Sequence, residues 1–506
     1  MQTNRFLRGL NSLWPYAVLC TILIALFYGT GFNQNWAHWI DQELTLSYNG
    51  LLVYERYPQE YLDHPGFFSI HLISYLIGIA NFLGFYHLQS IDDLNSSSSI
   101  LGSLRDLIVT ARHVALITSI AYVLVAYYIA NKITHERVLS LLVAMFIFVS
   151  NGVFFHFTLT RTEPIAFLFL LGSLYFYIQY FKDQGRYSLL LLLSMLMLFC
   201  GALNKAQILV LAPFYFTWAY FFISEHKLIA PINNQPLIKV ASFTTFTALA
   251  IFYSLISSGL SLMINLGLIS FFFGLTFICA KKSGINPFKA TSLLNIFYLM
   301  AFTALSYFSF KLNQNVSIFS NIEDPISMTR WLAPDPNAEK IAMDTNAIYV
   351  LSKIGNSLLE PLIALFSKGS STLILFVFCI AYILLNRRSI TKKEIALGIY
   401  SFFAFYAISL INRTRYVDAP HYLLLSEFFI LTFSLVLINQ IKLTRTKIKT
   451  VACLIFLFLF VNLVPYTKYY NLLIRKGGPG FCSSVQIFLE KIDAQKIAVE
   501  CKDHPI

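Results

Sequence analysis

The chain has 506 residues, of which 57% are hydrophobic and only 12% charged, and its mean hydropathy is +0.65. This composition excludes a string of soluble domains and fits an all-α polytopic membrane protein; apolar runs of about 20 residues without two-residue alternation exclude a β-barrel. The net charge of +12 comes from basic residues scattered over short loops, so it reads as a topology signal and excludes a nucleic-acid-binding patch.

Arg5 and Arg8 precede the first apolar run, 13–32. That run is too long for a cleavable signal and is expected to stay as a signal-anchor helix with its basic end inside. Directly after it come Trp39-Ile40-Asp41-Gln42-Glu43, opening an amphipathic stretch at 41–57, and then Tyr61-Leu62-Asp63-His64-Pro65-Gly66. The apolar run 67–86 is expected to be a re-entrant or interface-lying helix on the outer face. If it crossed, the basic turns at 132–137, 182–186, 281–289, 387–393 and 442–449 would all lie outside, against the positive-inside rule. The segment 89–103, with its serine run, reads as a solvated outer loop. Further spans are expected at 107–130, 138–157, 164–181, 187–203, 206–223, 239–258, 260–280, 290–310, 370–386, 394–411, 422–440 and 450–466, about thirteen with the first. The expected organisation is a membrane domain, 1–466, with external loops 33–106 and 311–369, followed by a small external tail, 467–506.

This topology collects polar residues on one face: Asp41, Glu43, Asp63 and His64 in the first loop, Arg161 and Glu163 in the turn before Pro164, Lys205 in a short turn, and Arg413, Arg415 and His421 between late helices. Carboxylates are scarce in such a chain, and each one near a bilayer needs a partner, water or a function. An acidic side chain held at the membrane face suits removal of a proton from a hydroxyl; equally, Asp41 suits the N-cap of a surface helix. Arg161 and Glu163 also fit a surface ion pair, Lys205 an interfacial lysine with its stem in the apolar layer, and the late arginines the flanks of a helix. Convergence on one face favours the chemical reading. No phosphate-cradling glycine loop is present.

The acidic motif after the first helix, the His64-Pro65-Gly66 turn and the late stretch Arg413-Thr414-Arg415-Tyr416 followed by His421-Tyr422-Leu423-Leu424 resemble the GT-C glycosyltransferases, of the protein O-mannosyltransferase and lipid A aminoarabinose transferase type. The resemblance implies a sugar donor carried on a polyprenyl phosphate and a glycan, lipid or protein acceptor. It implies Asp41 as catalytic base, with Glu43 beside it. Asp63, His64, Arg161, Glu163, Lys205, Arg413, Arg415 and His421 are then the donor-binding candidates, the cations among them to neutralise the leaving phosphate. Some relatives use a divalent cation, which acidic oxygens here also suit. The implied setting is a bacterial inner (plasma) membrane with an external active site. A glycan polymerase or ligase using a diphosphate-linked glycan, and a transporter or flippase, stand as alternatives.

Five cysteines sit in apolar runs, whereas Cys482 and Cys501 lie in the tail. An external tail of about 40 residues builds little core unaided, so a Cys482–Cys501 disulfide closing a small cap is expected.

Overall fold

Helices form where the apolar runs lie. The structure is a computed structural model and describes residues 2–31, 43–57, 59–60, 66–85, 90–134, 136–157, 159–182, 188–205, 207–225, 278, 370–411, 423–475, 489 and 491–503. Among the described residues every regular element is helical and no strand occurs. The chain divides into two compact units, one of Met1–Ile165, Val316–Asn321 and Ile441–Ile506, the other of Ala166–Asn315 and Ile322–Gln440.

The first unit opens with α1 (Gln2–Leu26), which continues as a wider π-turn over Phe27–Gly31. Then follow α2 (Thr45–Tyr54), α3 (Phe67–Phe82), α4 (Ile91–Ser96), α5 (Ile100–Ala111), α6 (His113–Thr134), α7 (Arg137–Phe148) and α8 (Asn151–His156). Helices α6 and α7 pack as a pair, with α1 against α6. Aromatic contacts tie these together: Tyr16 meets Tyr127 edge-on at 4.8 Å, and Phe148 meets Phe157 at 5.0 Å. Helix α2 packs on α3. Both end in Schellman motifs, in which the second residue past the helix is left-handed and the next amide bonds a carbonyl five residues back. Arg56 takes that position in α2 at φ 64° and Gly84 in α3 at φ 73°. The Tyr57 amide bonds the Leu52 carbonyl at 2.8 Å, and the Phe85 amide that of Ala80 at 2.9 Å.

The second unit contains most of α9 (Glu163–Lys182), then α10 (Ser188–Asn204), α11 (Gln207–Glu225), α12 (Ser370–Leu385), α13 (Lys392–Ile411) and α14 (Leu423–Gln440). Helix α13 starts with a capping box: the Glu394 amide bonds Thr391 Oγ1 at 3.2 Å, and the Thr391 amide returns to Glu394 Oε2 at 2.7 Å. Aromatic rings fill the space between α11 and α14, with Tyr215 at 4.7 Å from Phe429 and 5.1 Å from Phe428. Ser173 and Ser194 join α9 to α10 by donating reciprocally to each other's carbonyls at 2.7 and 2.8 Å. The chain returns to the first unit in α15 (Thr444–Arg475), which packs on α7 through Phe458 stacked at 5.0 Å on Phe146, and ends in α16 (Ala494–Asp503).

Two helical stretches among the described residues are long and apolar enough to cross a membrane: Ile100–Asn131, which is α5 and α6 running through a turn at Arg112, and Leu423–Gln440. Shorter apolar helices lie at Leu13–Gly29, Phe67–Phe82, Arg137–Phe148, Leu192–Asn204 and Ser371–Leu385. The expected runs at 239–258, 260–280 and 290–310, apart from Ile278, lie outside the described residues, as does loop 311–369.

Several boundaries differ from expectation. The stretch 41–57 is not a surface helix where it is described: residues 43–52 are all buried. The stretch 89–103, expected as a solvated outer loop, holds α4 and the first turn of α5, because Ser90 and Ser99 side chains accept from the Asp93 and Gly102 amides as N-caps. The expected span 138–157 is broken into α7 and α8 at Ser150, whose extended backbone and the following Asn151-Gly152 interrupt the helix. The expected tail boundary at 467 falls inside α15.

Gly50 lies where α2 crosses α3, and a Cβ there would stand 2.8 Å from Ile73 Cβ and nearer still to its Cγ2. Gly50→Ala is expected to lose about 1–3 kcal/mol through overpacking, whereas Gly29, with nothing within 4 Å of its Cβ position, tolerates alanine. Thermal unfolding in detergent checks this: equal midpoints for the two variants would contradict the α2–α3 contact.

Candidate functional site

Three segments distant in sequence meet inside the first unit. Glu43 stands at the entry to α2, Arg112 occupies the turn between α5 and α6, and Thr160 begins the irregular turn before α9. Arg112 is 0% exposed and Glu43 1%. Arg112 Nε donates to Glu43 Oε1 at 3.1 Å and Nη2 to Oε2 at 2.9 Å, a two-pronged pair. The Thr160 amide donates to the same Oε1 at 3.0 Å. Ser47, one turn into α2, donates its hydroxyl to the Glu43 carbonyl. Both carboxylate oxygens of Glu43 are therefore engaged, and burial leaves no face for an incoming hydroxyl. That arrangement makes Glu43 a structural partner and a poor general base.

The 160–163 turn is itself buried. Arg161 is 5% exposed and its Nε lies 3.4 Å from Glu163 Oε2, to which the Thr162 hydroxyl also points at 3.5 Å. The expected Arg161–Glu163 ion pair is thus present, inside the protein and not on its surface. Thr160 Oγ1 is buried without a hydrogen-bond partner. Gly66, the last residue of the Asp63-His64-Pro65-Gly66 turn, joins the cluster: a Cβ on it would stand 3.2 Å from Thr162 Cγ2 and 3.0 Å from Leu46 Cδ2. Its φ of 53° is left-handed, so only glycine meets both demands without strain.

Lys205 is 1% exposed in the second unit, in the join between α10 and α11. The same unit buries Glu427, which accepts from Thr372 Oγ1 at 2.8 Å and Ser371 Oγ at 3.1 Å. Asp41, Asp63, His64, Arg413, Arg415, His421 and Cys482 lie outside the described residues, and Cys501 falls in α16 with its side chain undescribed, so the disulfide expectation lies outside them too. Among the described residues no three His, Cys, Asp or Glu side chains are grouped to hold a metal ion.

Arg112 and Glu427 escaped the sequence reading, although a signal existed for each. Arg112 is the only Lys, Arg, Asp or Glu in 107–130, and Glu427 the only one in 422–440. A lone charge inside an apolar run demands a buried partner. Compared with protein-family models, with curated proteins and with solved structures, the chain matches none.

Arg112→Met leaves the Glu43 carboxylate buried and unpaired, an expected loss of about 3–5 kcal/mol. The double variant Glu43→Leu with Arg112→Met removes both charges and is expected to lose less than either single variant. Unfolding midpoints of the three proteins test this, and additive losses would show that the two side chains do not act as a pair.

Proposed function

We propose that the protein is an integral membrane glycosyltransferase with about thirteen spans, which moves a sugar from a polyprenyl-phosphate donor to an acceptor hydroxyl at the external membrane face. The observation that carries this reading is the packing of Glu43, Gly66, Arg112 and the 160–163 turn into one buried cluster within the first unit. Glu43 is two residues from Asp41 in the chain, and Gly66 two from His64. The cluster thus ties the chain segments carrying both loop motifs to Arg161. The length of α3 supports a shared outer face: its 16 residues make about 24 Å of helix, short of the roughly 30 Å hydrocarbon layer. Exposed Tyr75, Ile79 and Phe82 on α3 suit contact with lipid.

In this mechanism the Asp41 carboxylate accepts the proton of the acceptor hydroxyl, whose oxygen attacks the anomeric carbon. The bond from that carbon to the phosphate oxygen breaks with inversion, and the polyprenyl phosphate leaves with the electron pair. Arg161, in the same unit as Asp41, is the cation proposed to stabilise that developing charge. Glu43 holds the loop in place and takes no proton. A bacterial inner membrane, with the lipid tail of the donor in the bilayer, is the setting.

One observation favours a second reading, a transporter or flippase. Glu427 is a buried carboxylate in a helix apolar enough to span, and such groups mark substrate or proton pathways. It sits five residues into α14, near one end, which fits the enzyme better than a midplane site. Reconstituted vesicles that move a labelled polyprenyl-phosphate sugar without altering it covalently would decide for the transporter.

Asp41→Asn is expected to lower sugar transfer by about a hundredfold or more, measured in membranes as release of labelled sugar from a panel of polyprenyl-phosphate donors. Undiminished transfer would remove Asp41 from the role of base. The topology has its own test. Ser98 and Ser389, both exposed, are each replaced by cysteine in a cysteine-free background. An impermeant thiol reagent is expected to label Ser98→Cys from outside and Ser389→Cys from inside; labelling from one side alone would overturn the orientation.

A further inference from the structure

The last described helix grips the first external loop. Asp493 caps α16, its Oδ1 accepting from the Gln495 and Lys496 amides at 3.0 and 3.1 Å. Lys496 and Glu500 are four residues apart and so share one face of α16. That face meets the junction between α4 and α5. Lys496 Nζ donates to the carbonyls of Asn95 at 2.8 Å and Ser97 at 2.7 Å, at the C-terminal end of α4. Glu500 Oε1 accepts from the Ile100 amide at 2.7 Å, and Oε2 accepts from the Leu101 amide at 2.9 Å and Ser99 Oγ at 3.3 Å, at the N-terminal end of α5. A cation thus meets carbonyls at a helix end and a carboxylate meets amides at a helix start, the signs that both helix dipoles favour.

The grip extends on both sides. Asn95 donates to the Lys491 carbonyl at 2.9 Å and accepts from the Asp493 amide at 3.0 Å. The Lys491 amide donates to Tyr48 Oη at 3.2 Å, and its ammonium lies 4.4 Å from the Tyr57 ring centre. Leu489, Ile492 and Ile497 are buried beneath these polar contacts. Helix α5 then runs for 12 residues with Leu104, Leu107, Ile108 and Ala111 buried, and the residue after it is Arg112. A helix of that length is a rod of about 18 Å. Its N-terminal end is held by Glu500 and its C-terminal end presents the guanidinium that holds Glu43.

We propose that α16 is a clasp which, through α5, sets the position of Arg112, with Glu500 and Lys496 as positioning residues of the candidate site. The mechanical part stands alone; its consequence for sugar transfer rests on the glycosyltransferase reading.

The test uses the full chain in lipid nanodiscs as wild type, Glu500→Ala, Glu500→Gln and Lys496→Met. Hydrogen exchange is followed over 98–113, and sugar transfer is measured with whichever polyprenyl-phosphate donor of the panel the wild type consumes. Loss of a helix-capping carboxylate corresponds to about a tenfold rise in local opening. Glu500→Ala is therefore expected to exchange about tenfold faster at 100–104, with the increase carried on to 110–113. Lys496→Met is expected to act in the same direction. Glu500→Gln, which keeps an acceptor, is expected to recover much of the protection. The transfer rate constant is expected to fall several-fold in Glu500→Ala while the KM for the donor stays unchanged. Faster exchange confined to 100–104, or unaltered exchange throughout, overturns the clasp. Faster exchange around Arg112 with a normal rate constant overturns the positioning role of Glu500 and Lys496 in transfer and leaves the mechanical clasp standing. If the wild type consumes no donor, the glycosyltransferase reading fails and exchange at 110–113 alone decides the clasp.

Discussion

A guanidinium and a carboxylate that are both withdrawn from water hold the first unit together. Each charge alone is costly to bury, and their mutual attraction compensates only when the geometry is close and the remaining lone pairs are satisfied. Here the fork of Arg112 meets Glu43 with both prongs, and the Thr160 amide fills a further acceptor position. Such a pair adds little net stability over apolar residues of the same volume, but it discriminates strongly between arrangements. A shift of α2, of the α5–α6 turn or of the 160–163 turn would leave a charge unpaired in the interior. The entry to α2, the α5–α6 turn and the turn before α9 are therefore specified together.

The short helices between α3 and α6 depend on partners elsewhere in the same unit. A six-residue helix such as α4 has too few internal hydrogen bonds to persist alone. Its first amide, Ile91, bonds Glu55 Oε2 at 2.9 Å, and its last carbonyls accept from Lys496. Burial lifts the Glu55 carboxyl above the ordinary carboxylate range, and the charges of Asp92 and Asp93 add to this, while the Ile91 amide pulls the other way. A loop held by charged caps at both ends of its helices, over buried Ile91, Leu94 and Ile100, is an ordered platform.

The second unit uses a different means. Its helices interlock through aromatic rings, with Phe167, Tyr215 and Phe428 in mutual contact, and through hydroxyls that donate to backbone carbonyls, as Ser173 and Ser194 do. Gly398 permits the close approach of α13 to α14, because a side chain there would run into the Phe433 ring. Glu427 is held by two hydroxyl donors from α12. Among the described residues, apolar packing carries this unit.

Much of the helical layout follows from composition. The runs that became α9, α10, α12, α13 and α14 start and stop within two residues of where apolar length and flanking basic turns place them. Hydrophobicity sets these boundaries, because an apolar segment of that length has few alternatives to helix. The 160–163 turn, too, stood out by its charges. What hydropathy did not convey is which charge meets which. Arg112 and Glu43 are 69 residues apart and Glu500 and Ile100 are 400 apart, and no local pattern encodes such pairings. The sequence by itself determined that a charge buried in an apolar run must have a partner. Only the tertiary structure decided that Arg112 takes Glu43, because the choice depends on which backbone segments the packing of α2, α3, α5 and α6 brings within hydrogen-bond distance.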